Sequence, residues 1–109
     1  MDDEAKLRAA RNEALFRKVN EAIERGVWPG EQDQPVRFRC ECARVDCNEA
    51  VELTPREYER VRQHPRWFVA VPGHFQPEIE RIVERTASHI LVEKIEESGA
   101  VASALDPRS

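Results

Sequence analysis

Apolar residues recur at three- and four-residue steps over residues 3 to 25. Leu7, Ala10, Ala14, Leu15, Val19, Ala22 and Ile23 form one stripe, and Phe16 widens it. That period predicts a single helix. Acids crowd its start, Arg25 sits near its end, and Gly26 is a natural stop. Two readings of the stripe stand side by side. It packs on its own domain, or it pairs with a partner or a second copy of the chain.

The pattern then shortens. Val27 to Pro35 reads as a loop, marked by Trp28-Pro29-Gly30, with Trp28 expected as a lid on the core. Val36-Arg37-Phe38-Arg39-Cys40 alternates as a half-buried strand, and Ala50-Val51-Glu52-Leu53 is its return partner. Thr54-Pro55-Arg56-Glu57 combines a cap, a first-turn proline and a capping-box acid, and so starts a helix that His64-Pro65 ends. Trp67 to Val71 is the most strand-like run, closed by Pro72-Gly73 directly before His74. Residues 77 to 86 fit a helix or a strand. The strand is preferred, because a short polar turn separates Ile82-Val83 from the β-prone Ile90-Leu91-Val92. The tail from Ser98 forms a short helix around Ala100 to Leu105 or frays.

These elements make an α+β fold: a long N-terminal helix, a pinned β-hairpin, a short capped helix and a small, mostly antiparallel sheet. The expected division is an amphipathic helix over 1–26, an α+β domain over 27–97 and a C-terminal tail over 98–109. Hydrophobic residues make up 40% of the 109 residues and aromatic ones 6%, against 35% charged. So lean a core in so short a chain calls for another source of stability, and a metal cross-link is one.

The cysteines supply it. Cys40, Cys42 and Cys47 lie within eight residues, spaced C-x-C-x4-C around the turn of the predicted hairpin. Structural zinc takes four ligands in a tetrahedron, mostly thiolates and imidazoles. Two residues apart in a strand, Cys40 and Cys42 share a face. The fourth ligand is sought among His64, His74 and His89, with a carboxylate or a water as further alternatives. His74 is preferred, because a rigid Pro-Gly turn presents it. His64 is placed to cap a helix end, and His89 opens a strand and can face solvent. A reversible disulfide among the three thiols is the rival chemistry, and inert buried thiols are the plainest. A filled Cys3His shell leaves no position for substrate, so the expected metal is structural zinc rather than a reaction centre.

Charge narrows the rest. The net charge is −4, and residues 37 to 66 hold no strong basic excess, so nucleic acid is a disfavoured partner. Arginines outnumber lysines by 14 to 3. No run of 18 apolar residues predicts a membrane span, and the acidic start does not read as a signal peptide. The expected location is cytoplasmic, where thiols stay reduced. No phosphate loop, dinucleotide fingerprint or nucleophile elbow is present.

The chain resembles a group of small, uncharacterised bacterial proteins of actinobacterial type. The resemblance rests on Arg11-Asn12-Glu13-Ala14-Leu15-Phe16-Arg17 with Val19-Asn20, Phe38-Arg39-Cys40-Glu41-Cys42 with Cys47, Leu53-Thr54 with Glu57-Tyr58, and Val71-Pro72-Gly73-His74 with Val92-Glu93-Lys94. It implies that the cysteine knuckle and Pro-Gly-His belong together, and it carries no activity. The function expected is a non-enzymatic, zinc-binding interaction or regulatory module, with the N-terminal helix as a surface for a protein partner or for self-association. A redox or zinc-release sensor and a nucleic-acid-binding zinc protein are the alternatives.

Overall fold

A computed structural model of the chain describes residues 2–28, 30–44 and 46–108. Pro29 of the Trp28-Pro29-Gly30 signal and Val45 of the knuckle lie outside the described residues, as do Met1 and Ser109. The order of elements is α1 (Asp3–Arg25), β1 (Val36–Arg39), β2 (Ala50–Leu53), α2 (Pro55–Arg62), β3 (Trp67–Ala70), β4 (Glu80–Arg85), β5 (Ile90–Lys94) and α3 (Glu96–Ala104). The fold is α+β, as the hydrophobic pattern predicts. β1 and β2 form an antiparallel hairpin, and β3, β5 and β4 form an antiparallel sheet in that order. Within 77–86 the hairpin strand is therefore present, as Glu80–Arg85, bulged at Ile82–Glu84.

Local chemistry sets the helix starts. Asp2 accepts the Ala5 N–H at 2.7 Å, and Thr54 and Glu57 exchange both capping-box bonds at 2.9 and 3.0 Å. β3 is buried on both faces, which explains its unbroken apolar run. Phe68 and Ala70 meet Ile90, Val92 and the three cysteines on one side. Val69 and Leu91 meet Phe38, Val51, Leu53, Tyr58 and Val61 on the other. Burying each large side chain contributes about 1.5–3 kcal/mol.

The long helix corrects its own sequence pattern. It packs against its own domain through only part of the apolar stripe, Ala10, Ala14 and Phe16, with Ile23 at the edge of the core. Its inward face carries Ala9, Ala10, Glu13, Ala14, Phe16, Arg17, Asn20 and Glu21, while Leu15 and Val19 are 56% and 41% exposed. Polar groups can face inward because each finds a partner far along the chain. Arg17 lies 3.7 Å over the Phe68 ring and donates to the Pro65 and Trp67 carbonyls at 2.8 and 2.9 Å. Glu13 and Glu80 both pair with the buried Lys94. Trp28, expected as a lid, is 74% exposed. The loop that carries it is tied to α2 further on, where the Arg56 N–H donates to the Gln32 carbonyl at 3.1 Å and Arg56 pairs with Asp33.

The tail does not fray. α3 begins at Glu96, earlier than expected, and packs on α1. Beyond it, Asp106 is buried and accepts from Arg62 at 2.5 Å, and Arg62 also donates to Glu21 at 2.6 Å. Burial acts to raise the Asp106 carboxyl, but the Arg108 N–H and the arginines outweigh it and hold it below the ordinary aspartate value. The stability this carboxylate contributes is thus present above the unfolded-state value near 3.9 and is lost as pH falls through the depressed folded value. Asp106→Asn is expected to cost about 3 kcal/mol at pH 7, since it leaves buried guanidinium charge less compensated. Urea denaturation of both proteins across pH checks this, and the difference between them should shrink toward acid.

Candidate metal centre

The segment after β1 is built to hold three sulfurs. Cys40 N–H donates to the Glu49 carbonyl at 3.0 Å, extending the hairpin by one pair, and Glu41 N–H then crosses to the Val69 carbonyl at 2.8 Å. The knuckle therefore bridges the hairpin and the three-stranded sheet. α1 grips it from above. Asn20 pairs with the Arg39 backbone in both directions, at 2.7 and 2.9 Å, and Asn12 donates to the Cys42 and Arg44 carbonyls at 3.3 and 3.2 Å. Between the first two cysteines, the Glu41 carboxylate points into the protein at 0% exposure. It accepts from Tyr58 Oη at 2.6 Å, Asn20 Nδ2 at 2.9 Å and Val69 N–H at 3.0 Å. Burial and the adjacent Glu41 raise the Tyr58 phenol far above its usual value, so it remains a donor.

His74 arrives from the end of β3. Its N–H donates to the Val71 carbonyl at 3.0 Å across Pro72-Gly73, and Gly73 has φ +94°. Proline followed by a residue in that region defines a type II turn, which only glycine enters without strain. The turn brings His74 Nδ1 to 3.5 Å from Cys40 Sγ and 3.7 Å from Cys47 Sγ. The four ligand atoms of Cys40, Cys42, Cys47 and His74 all lie within 4.8 Å of one another. A tetrahedron with Zn–S of about 2.3 Å and Zn–N of about 2.0 Å has S···N edges of about 3.5–3.6 Å. The two S···N separations match that edge, and the four residues can hold a metal ion.

Backbone donors also face the sulfurs. Each receives one backbone N–H, Cys40 from Val71 at 3.2 Å, Cys42 from Arg44 and Cys47 from Glu49. The hydrogen bond from Cys40 and the Arg44 N–H hold the Cys42 thiol down to about 5. The same pairing and burial push Cys40 up, and burial raises Cys47. Three adjacent sulfurs do not ionise together unaided, and a cation among them removes that conflict. With a divalent ion the centre carries one net negative charge, close to Arg44, whose Nη1 lies 3.5 Å from His74 Nε2.

The remaining nitrogen of His74 is fixed as well. Nε2 lies 2.9 Å from the Glu49 carboxylate. That contact places the proton on Nε2 and leaves Nδ1 free to face the sulfurs, the arrangement that orients metal-bound histidines. Glu49 thus serves the site through its carbonyl, its N–H and its side chain. Glu49→Ala is expected to weaken metal binding by 10- to 100-fold, with Glu49→Gln intermediate, as read by competition with a chromogenic chelator. Equal affinities would show that Glu49 is incidental.

The other histidines are placed elsewhere. His64 stacks on Trp67 with centroids 3.7 Å apart. His89, expected at a solvent-facing position, is 6% exposed, with Nδ1 3.0 Å from Ser88 Oγ and 3.2 Å from Thr86 Oγ, closing the turn before β5. Sequence reasoning assigned no role to Asn12, Asn20, Glu41 or Glu49. The one signal available was a carboxylate sitting between two cysteines.

Comparison of the chain with family models, with curated proteins and with solved structures finds no match. No helix among the described residues is long and apolar enough to cross a membrane.

Proposed function

We propose that the chain is a non-enzymatic zinc-binding interaction module whose Cys3His centre is structural. The observation that carries this is the closure of the ligand set. Three cysteines at 1%, 2% and 7% exposure and the His74 imidazole make four donors within 4.8 Å of one another. That donor set suits zinc, and a filled shell has no position at which substrate or water binds the ion. The metal joins the hairpin to the end of β3, and its role is to hold surfaces in place. Reduced thiols of this kind suit the cytoplasm.

A thiol-based sensor would need sulfurs that oxidant reaches, and their burial opposes it. Exposing the purified protein to mild hydrogen peroxide while a chromogenic chelator reports free zinc separates the two. The structural centre is expected to retain its zinc over the time in which a small zinc-finger peptide releases its own. Release at the peptide's rate would favour the sensor and overturn the structural assignment.

A further inference from the structure

The rotation of α1 about its axis has left an unusual outer surface. Leu15 and Val19 stand exposed among Arg8, Arg11, Lys18 and Arg25. The helix acids past the first turn are turned away. Glu13 and Glu21 are buried, and Glu24 is half-buried against Arg108. Arg8 pairs with Glu4 at 3.2 Å, while Arg11, Lys18 and Arg25 form no ion pair among the described residues. In a chain of net charge −4 this face is basic and apolar at once. Beside it runs a groove of about 330 Å³ between α1 and the end of α3. Its floor is Ala14, Leu15 and Leu105, and Arg11 and Lys18 line its rim. Leu105 is itself 40% exposed.

Charge decides what fits. A second copy docked by a two-fold axis would set these cations against themselves. A lipid surface is held by aromatic and large aliphatic anchors, and this face offers no ring, only the partly exposed Leu15, Val19 and Leu105. A nucleic-acid backbone would leave the apolar floor uncovered. Of the arginines near the knuckle, Arg39 does not serve it, because its side chain turns inward to the Cys47 carbonyl at 2.8 Å. An acidic polypeptide satisfies both features, its carboxylates meeting Arg11 and Lys18 while an apolar side chain fills the groove.

We propose that the outer face of α1, with the groove beside Leu105, docks an acidic segment of a partner protein through a large aliphatic or aromatic side chain flanked by carboxylates. This deepens the interaction-module reading, on which it rests, by naming the partner's chemistry.

Fluorescence anisotropy with labelled synthetic peptides tests it on the full chain. The probes are an acidic peptide with leucine and phenylalanine anchors, the same peptide with alanine anchors, and the same peptide with lysine for every acid. Phosphatidylserine vesicles and duplex DNA are run beside them. The anchored acidic peptide is expected to bind, its alanine version roughly tenfold more weakly, and the lysine version not measurably. Arg11→Glu with Lys18→Glu should weaken the anchored peptide by roughly tenfold or more, and added salt should weaken it too. Leu105→Asp is a second variant on the groove alone. These sites are exposed, so folding is expected to survive. No binding of the anchored peptide, equal binding by both variants, or preference for vesicles or DNA overturns the proposal. Zinc content measured on the same samples keeps the two ideas apart. A zinc-free protein that binds the peptide leaves this surface standing and removes the metal centre.

Discussion

Cys42→Ser is expected to yield protein with little or no bound zinc and no cooperative thermal transition at ordinary temperatures. The reasoning is one of magnitude. Metal binding in zinc-finger peptides couples to folding by roughly 10–16 kcal/mol. Small domains have a net stability of about 5–15 kcal/mol. Losing most of the first term removes the second. Cys42 is the sulfur best set up for the ion, held down to about 5 by the bonds from Cys40 and the Arg44 N–H. It also sits in the core that Phe68, Ala70, Ile90 and Val92 complete. Circular dichroism melts with and without added zinc check the result. A variant that melts like the wild type would show that the cysteines pack as inert thiols.

Glu41→Ala is the second large effect, and it acts without touching a ligand. The substitution strips the acceptor from Tyr58 Oη, Asn20 Nδ2 and the Val69 N–H, all in a buried environment. Each of the three orphaned donors costs about 1–3 kcal/mol, so a total loss of at least about 3 kcal/mol is expected. Cys40 and Cys42 flank this residue, so the sulfurs should lose their fixed spacing and metal affinity should fall as well. Urea denaturation and chelator competition read the two effects. Stability lost with affinity kept would separate the carboxylate from the metal centre.

The parts of the fold legible in the sequence were those fixed by local chemistry. Thr54 and Glu57 cap one another over three residues. Pro72-Gly73 commits the backbone to a turn that delivers His74, and the cysteine spacing carries three ligands within eight residues. The polar part of α1's inward face, Glu13, Arg17, Asn20 and Glu21, was not legible, because periodicity looks for buried apolar residues. Here Arg17 is buried because Phe68 and two carbonyls about fifty residues away receive it. Asn20 is buried because the Arg39 backbone and Glu41 need it. Partners so distant in the chain leave no periodic trace. The same limit concealed Glu49, whose carboxylate acquires meaning only once His74 has been brought beside it. It also concealed Asp106, which reads as a polar end and proves to be a counter-ion to Arg62.

Zinc stoichiometry by elemental analysis, on wild type and His74→Ala purified side by side without added metal, tests the central claim most directly. One zinc per wild-type chain is expected, and a His74→Ala protein that has lost it or yields it to a chelator at least tenfold more readily. A wild-type protein that folds fully with no zinc bound would contradict the claim.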